Sequence, residues 1–384
     1  MTLANPAAWF ALCTLCLLIG GALARGAFFR ARLAGSAGRF ETLDGLRGFL
    51  ALGVLGGHAV YMHGLHTLGL WDAGEGPFYD RAADVGVSLF FAITGFLFWL
   101  RVLRDGPRFD ARGFFASRLR RLVPMYAVSV AMALAVVLVA SGFALHEPAV
   151  TLLKQLRPWL SFGFMTTGET NGMRDAHAIN AVYWTLAYEW MFYLALPLLA
   201  LLAHGRWSLL LIAAALFFGT QSPVVFNFLS GALAAVLVHR RTLGGLLGSA
   251  WLAPLPLAAL AACFVPGLPA AALAALLCVV FIFVVHGYSF FGLLRSRAAK
   301  VLGAISYSLY LTHCIVLFVV VRWAHQVVPI GALEPLQYWL LVALAAAATV
   351  LLSACTFRHV EYPFIHQKGA PARPMAGPAR IQVA

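Results

Sequence analysis

Residues 122–141 read LVPMYAVSVAMALAVVLVAS, and this stretch holds no Asp, Glu, Lys, Arg or His. A helix rises about 1.5 Å per residue, so a stretch of this length crosses the roughly 30 Å hydrocarbon layer of a bilayer. A segment that crosses lipid must be helical, because lipid offers no partners to unpaired backbone N–H and C=O groups. The stretch therefore predicts a transmembrane helix.

Similar apolar stretches recur from one end of the chain to the other. Of the 384 residues, 62% are hydrophobic and 11% are charged. Soluble domains carry about 45–50% apolar and about 25% charged residues. The sequence thus predicts an all-α fold, a polytopic transmembrane helix bundle of about 11 helices. The predicted spans lie near 7–24, 46–64, 84–102, 122–141, 181–203, 207–220, 223–239, 245–265, 269–286, 301–323 and 336–357.

The distribution of basic residues predicts the orientation of the bundle. If the N-terminus lies outside, the outer loops hold only five of the 27 Lys and Arg residues, namely Arg81, Lys154, Arg157, Arg174 and Arg322. Cytoplasmic loops of membrane proteins are enriched in Lys and Arg. The pattern predicts an N-out, C-in topology. The net charge of +13 is therefore explained by basic residues in cytoplasmic loops, and nucleic-acid binding is not needed to explain it.

The chain divides into three parts. Residues 1–39 form an N-terminal transmembrane helix with a basic linker, residues 40–365 form the main membrane domain, and we expect residues 366–384 to form a disordered cytosolic tail. Ala22-Leu23-Ala24 resembles a signal-peptidase site, so a cleaved leader is the alternative for the first helix. Residues 2–10 lack the Lys or Arg that begins a leader, which favours a retained N-out anchor.

The first helix of the main domain combines charged groups with a histidine. It begins Leu43-Asp44-Gly45-Leu46-Arg47-Gly48 and continues to His58. Arg47 and His58 are eleven residues apart, so they share a helix face about 16 Å apart along the axis. Asp44 precedes Arg47 by three residues and can pair with it. Ionisable groups within a membrane generally mark function, although a histidine bonded between helices is the alternative.

Three arginines, Arg118, Arg120 and Arg121, lie in a predicted cytosolic loop immediately before the 122–141 stretch. Guanidinium groups at a helix entrance suit phosphate, because the planar fork and the helix N-terminus both favour anions. Ordinary enrichment of basic residues on the cytosolic side is the alternative.

Three further features place glycines or polar groups within predicted spans. Residues 86–97 form a glycine-punctuated apolar run, GVSLFFAITGFL, for which close helix packing is the alternative to a functional role. Glu189 lies among aromatic residues at the predicted outer end of a span, where it could orient a histidine or a hydroxyl, or simply lie at the interface. Ser306, Tyr310 and His313 have i, i+4, i+7 spacing and form one polar stripe. Hydrogen bonding between helices is the alternative for this stripe.

The order of these motifs along the chain closely resembles that of the membrane acyltransferase 3 family. The resemblance covers about residues 40–365, with an extra N-terminal helix before the usual ten-helix unit. Some relatives carry an esterase-like extracytoplasmic domain after the last helix; none is seen here, so we expect action alone or with a separate extracytoplasmic partner. The matching segments are Leu43 to Gly48 with the spacing from Arg47 to His58, Gly86 to Leu97 with Thr94 in place of the family's serine, Arg118 to Arg121, Trp184-Thr185-Leu186 with Glu189, Ser306 to His313, and Glu361-Tyr362-Pro363.

The resemblance implies transfer of an acyl group, commonly acetyl from acetyl-CoA, to a hydroxyl of a cell-envelope glycan, an exported glycan or a lipid-linked sugar. It implies a multi-pass protein of the bacterial inner membrane. His58 would take a proton from the attacking hydroxyl or accept the acyl group itself, and both routes stay open. The resemblance implies that Arg47, Asp44 and Glu189 assist His58 in catalysis. Arg118, Arg120 and Arg121 would bind the CoA phosphates. Tyr310, His313 and Ser306 would lie on the acceptor side.

Other functions remain as alternatives. A secondary transporter or flippase of a glycan-type substrate would also carry polar stripes in a helical bundle, but no convincing two-fold internal repeat is present. A polyprenyl-phosphate glycosyltransferase would need an arrangement of acidic residues in its outer loops that is not recognisable here. We expect no metal, because Cys13 and Cys16 lack a second pair and a nearby histidine.

Overall fold

The computed structural model describes residues 2–35, 40–72, 76–203, 222–240 and 250–366, together with Gly74, Ala215, Phe217 and Leu247. Within these residues the regular structure is helical and contains no β-strand. The α-helices are α1 (Pro6–Leu23), α2 (Ala27–Ala34), α3 (Glu41–Leu68), α4 (Pro77–Asp105), α5 (Ala111–Ala140), α6 (Ala149–Leu160), α7 (Trp184–Leu202), α8 (Pro223–Arg240), α9 (Pro254–Ala262), α10 (Ala270–Val285), α11 (Arg297–Ala304), α12 (Ser306–Val327), α13 (Pro335–Thr356) and α14 (Tyr362–Ile365).

Eight helical segments in the described part of the chain are long and apolar enough to cross a membrane. They are α1, α3, α4, α5, α7, α8, α12 and the continuous Pro335–Ile365 segment, and α10 is a shorter apolar helix. The all-α polytopic bundle is therefore confirmed, and the protein is a multi-pass membrane protein. The predicted span at 207–220 lies outside the described residues except for Ala215 and Phe217, so the count of eleven and the N-out, C-in topology stay predictions. The span at 245–265 is described only in part, and α9 is the α-helix in that part.

Several helices begin earlier than the apolar pattern predicts. Helix α3 starts at Glu41 rather than near residue 46, and α5 starts at Ala111 rather than near residue 122. Before α5, the side chain of Asp110 accepts a hydrogen bond of 3.0 Å from the N–H of Gly113, which caps the helix. The prediction of a loop at Arg118 to Arg121 is thus wrong, whereas their cytosolic side stays a prediction. These arginines lie on a helix, where spacing decides which face each side chain occupies.

Helix α3 is the central element of the bundle and packs against α4, α11 and α12. Glycine allows these close approaches because it carries no Cβ. A Cβ at Gly48 would lie 2.7 Å from the Cβ of Leu302 on α11, and one at Gly57 would lie 2.7 Å from the Cβ of Ala83 on α4. This packing holds the face with Arg47 and His58 against the other helices.

Candidate active site

Two neighbouring cavities lie within the bundle, and the first is strongly basic. This arginine cavity has a volume of about 330 Å³ and lies among α3, α4, α5, α7 and α12. Three guanidinium groups face a single carboxylate in it, and hydroxyl groups complete its polar lining. Its charged and hydroxyl-bearing residues are Arg47, Arg118, Arg121, Glu189, Tyr193, Ser306, Tyr307, Tyr310, Thr94 and Thr185.

The second cavity contains the histidine that the sequence singles out. This histidine cavity has a volume of about 430 Å³ and is lined by His58 together with Tyr61, Trp71, Asp84 and Tyr310. Aromatic rings surround the imidazole, because the ring centroids of Tyr61 and Trp71 lie 5.6 and 5.8 Å from that of His58. The site therefore places an imidazole among aromatic rings, with one carboxylate, that of Asp84, in the same cavity.

Three residues line both cavities and form the shared wall: Val87 and Phe91 on α4, and Tyr310 on α12. The hydroxyl groups of Tyr310 and Thr185 lie 3.0 Å apart, which ties the wall to α7. His58 lines only the histidine cavity, whereas the arginines line only the arginine cavity. The predicted stripe from Arg47 to His58 is therefore interrupted between its two ends.

The arginine motif divides according to the helical period. Arg118 and Arg121 are three residues apart on α5, share a face, and both line the arginine cavity. Arg120 is exposed and does not line this cavity, because it lies about 200° around the helix from Arg118. The structure therefore separates Arg120 from the group of predicted CoA ligands. Arg118 also lies over the ring of Phe98, at 4.9 Å from the centroid.

Arg47 reaches the arginine cavity, but its predicted ion pair with Asp44 does not form. The ion pairs within 4.0 Å among the described residues involve other groups, and Asp44 does not line the cavity. Asp44 interacts electrostatically with Arg32, Arg121 and Lys300 as well as with Arg47, so it belongs to a wider charged cluster. Arg47 is the strongest electrostatic partner of Asp44, but the two groups do not come within ion-pair distance.

Glu189 lies in the arginine cavity and not beside His58, so it does not orient the histidine. The hydroxyl of Tyr193, four residues further along α7, donates a hydrogen bond to Glu189 Oε1. Electrostatic interactions link the carboxylate to Arg47 and Arg118. Tyr193 was missed in the sequence, although its i, i+4 spacing from Glu189 was a usable signal.

Several buried polar atoms at this cavity have no hydrogen-bond partner among the described residues. They include Nε of Arg47, Nε of Arg118 and Oγ of Ser306, and all three residues line the arginine cavity. These groups are available to form hydrogen bonds with a ligand or with water. Ser306 thus lies on the arginine side, whereas the sequence placed it on the acceptor side.

A buried glutamate also lies near the arginines. Glu361 is 1% exposed, accepts a hydrogen bond from Ser308, and interacts electrostatically with Arg121 and Arg47. The sequence quoted this residue only within a motif and gave it no role. Electrostatic interactions thus link the last helical segment to the arginines.

His313 lies directly beside His58, although 255 residues separate them in the chain. His313 Nε2 is 3.1 Å from His58 Nδ1, and the ring centroids are 5.1 Å apart. Each Nδ1 also contacts the carbonyl one helical turn earlier, at 3.0 Å to Val54 for His58 and 3.1 Å to Leu309 for His313. The two imidazoles therefore form a buried pair with defined orientations.

The same pair belongs to the one group of three potential metal ligands found in the described part of the chain. The ligand atoms of His58, His313 and Cys314 all lie within 4.8 Å of one another. Cys314 Sγ is 3.4 Å from His313 Nε2. The contacts of both Nδ1 atoms with carbonyl oxygens use these nitrogens as hydrogen-bond donors, which makes them unsuitable as ligands. The expectation of no metal stays a prediction.

The comparisons with known proteins agree with the motif order. A family model described as an acyltransferase domain matches residues 40–358. Nodulation protein 10 of Rhizobium leguminosarum bv. viciae is 30% identical over 182 residues, which cover 45% of this chain and 47% of that protein. The chain thus spans about half the length of this curated relative. No solved structure shows a significant match. Since the family match includes both cavities and most of the chain, the resemblance is confirmed: the chain belongs to the membrane acyltransferase 3 family.

Proposed function

We propose that this protein transfers an acyl group, with acetyl as the first candidate, from cytosolic acyl-CoA to a hydroxyl of a cell-envelope or exported glycan. Residues 40–365 would form the transferase unit in a bacterial inner membrane. The observation that carries this proposal is the placement of the half-buried arginines and the buried His58 in two cavities with one shared wall.

The arginine cavity suits the donor. In the predicted N-out, C-in topology this cavity lies toward the cytosol, where CoA is found. Arg47, Arg118 and Arg121 outnumber Glu189, so the cavity favours an anionic carrier. The unpartnered Nε atoms of Arg47 and Arg118 are hydrogen-bond donors that phosphate or thioester oxygens would satisfy.

The histidine cavity suits the acceptor. In this proposal a sugar hydroxyl enters from the opposite side and lies against His58, with the aromatic rings of Tyr61 and Trp71 beside it. Aromatic side chains offer flat apolar surfaces that pack well against the C–H faces of such a ligand. The acyl thioester would reach the hydroxyl at the shared wall, which requires the Tyr310 side chain to move aside.

The reaction needs one base and one departing thiolate. The acceptor oxygen attacks the thioester carbonyl, so the new O–C bond forms as the C–S bond breaks. His58 takes the hydroxyl proton on Nε2 and then passes it to the thiolate sulfur. The same Nε2 lone pair could accept the acyl group first, with the CoA thiolate leaving. Rapid denaturation at neutral pH after incubation with labelled acetyl-CoA and no acceptor distinguishes the routes, because only the second leaves an acylated enzyme.

Comparison of envelope glycans tests the proposal. The gene is deleted, and glycans are examined by mass spectrometry for loss of an acetyl increment. Expression of the wild type and of His63→Ala should restore the increment, whereas His58→Ala should not. His63 is a matched control because it lies on α3, packs against Tyr338 at 4.8 Å between centroids, and lines neither cavity.

Two outcomes would contradict the proposal. An unchanged glycan profile in the deletion strain would remove the acyl-transfer assignment. Glycan that accumulates inside the cell without any change in acylation would favour the transporter alternative. Membrane levels of each variant, measured by immunoblot, separate loss of function from failure to insert.

A further inference from the structure

The proposed function uses His58 and leaves His313 without a role in the chemistry. We propose that His313 is a positioning residue that, together with the Val54 carbonyl, holds His58 with its proton on Nδ1 and supports the imidazolium formed during transfer. This inference rests on the proposed function and adds a second histidine to its mechanism. It rests on the geometry of two side chains from α3 and α12.

The contacts of the two rings define their protonation. A carbonyl oxygen can only accept a hydrogen bond, so a neutral imidazole must carry its proton on the nitrogen that contacts it. His58 Nδ1 contacts Val54 O and His313 Nδ1 contacts Leu309 O, so both rings carry the proton on Nδ1. His313 Nε2 is then an acceptor, and the single His58 Nδ1–H is shared between Val54 O at 3.0 Å and His313 Nε2 at 3.1 Å.

This arrangement leaves the other nitrogen of His58 available as a base. No hydrogen bond to His58 Nε2 occurs among the described residues, and His58 lines the histidine cavity. Because hydrogen bonds hold the Nδ1 side of the ring, the lone pair on Nε2 points away from those bonds. A histidine base oriented by a partner on its other nitrogen is a recurrent device in enzymes.

His313 would also support the charge that forms on His58. A buried imidazolium is costly unless its N–H groups are hydrogen-bonded, and charged donors make stronger hydrogen bonds than neutral ones. No carboxylate bonds to either ring within the described part of the chain. The neutral His313 Nε2 is therefore the partner that strengthens its bond when His58 takes the hydroxyl proton.

Other titratable groups surround the pair and belong to three helices. Tyr61 on α3 contacts the His58 ring and donates to Asp80 on α4. Asp84 on α4 lines the histidine cavity. Tyr310 and Cys314 on α12 lie beside His313, and the thiol competes for the same Nε2 lone pair.

The experiment compares His313→Leu with His313→Gln. Gln places an amide oxygen near the position of Nε2 and keeps a hydrogen-bond acceptor there, whereas Leu keeps only the volume of the side chain.

Initial rates are measured against pH with acetyl-CoA as donor and glycan from the deletion strain as acceptor. We expect His313→Leu to lower kcat about 100-fold, within the range for general-base catalysis. The acid limb of its pH–rate profile should move to lower pH, because the His58 imidazolium loses a hydrogen-bond partner and therefore gives up its proton more easily. His313→Gln should recover most of the rate and the wild-type limb.

Controls keep a structural role separate. The donor KM should change less than twofold in both His313 variants, because His313 lines neither cavity. Cys314→Ala should keep the wild-type rate, since it only removes a competitor for Nε2.

Three results would overturn the inference. The first is a His313→Leu variant with the wild-type rate and pH profile while His58→Ala is inactive. The second is loss of donor binding in both variants, which would make His313 a packing residue. The third is stoichiometric metal that disappears in Cys314→Ala, which would make the pair a metal site. Failure of the proposed function is a different result, in which the wild type itself transfers no acetyl group.

Discussion

The two cavities differ in the state of their polar groups. In the arginine cavity, guanidinium nitrogens and a serine hydroxyl are buried without partners, as in a site built to receive a charged ligand. In the histidine cavity, His58 is already held by Val54 and His313 before any ligand binds. In the proposed function the first cavity serves binding and the second serves chemistry. Val87, Phe91 and Tyr310 line both cavities and form their shared wall.

The largest expected effect tests whether the histidine cavity contributes chemistry rather than binding. His58→Ala should lower kcat by about 1,000-fold or more, because the base is lost, and should leave the donor KM within twofold. Steady-state rates at varied acetyl-CoA concentration measure both parameters. A raised KM with unchanged kcat would mean that His58 only binds substrate.

The next effect tests whether the arginine cavity binds the donor. Removing a hydrogen bond to a charged group costs about 1.5–3 kcal/mol, so Arg118→Ala and Arg121→Ala should each raise the donor KM about 10- to 100-fold. Arg120→Ala is the matched control on the same helix and should change the KM little, because Arg120 is exposed and outside the cavity. Equal effects of all three variants would remove the distinction between the two helix faces.

A smaller effect is expected from opening the shared wall. Tyr310→Ala should raise hydrolysis of acetyl-CoA in the absence of acceptor about tenfold, because water from the histidine cavity would reach the thioester. Tyr310→Phe keeps the ring, loses only the contact with the Thr185 hydroxyl, and should stay near the wild type. Release of free CoA measured with a thiol reagent reports this reaction. No increase with Tyr310→Ala would mean that the wall does not keep water from the donor.

The smallest effect concerns the carboxylate among the arginines. Tyr193→Phe removes one hydrogen bond to Glu189, at a cost of about 1 kcal/mol, and should raise the donor KM about fivefold. Tyr188→Phe removes a hydroxyl from a partly exposed side chain of the same helix and serves as the control. Equal donor KM values for both variants would mean that the position of Glu189 has no influence on donor binding.

Several features of the site follow from local sequence. The spacing of Arg118 and Arg121 indicates one helix face, provided the helix is known to include them. The apolar pattern located α5 but placed its start eleven residues late, because arginines are polar whether they lie in a loop or on a helix end. The i, i+3 spacing also identified Arg47 as the main electrostatic partner of Asp44, but spacing alone does not show whether two side chains come within ion-pair distance.

Other features could not be predicted from one sequence. Glu189 and Ser306 belong to the arginine cavity only because α7 and α12 pack there with particular faces turned toward α3 and α5. The pairing of His58 with His313 depends on the α3–α12 contact across 255 residues. Periodicity shows that each histidine shares a face with other polar groups, but it contains no information about which faces meet.

The sequence by itself determined that this protein is a bundle of membrane-spanning helices of the acyltransferase family, because lipid permits few alternatives to long apolar helices and the motif order is specific. The tertiary structure alone decided that the polar residues divide into a basic cavity and a histidine cavity on opposite sides of Tyr310. The physical reason is that hydrophobic length is a local property of the chain, whereas the partner of a buried polar group is set by how the helices pack.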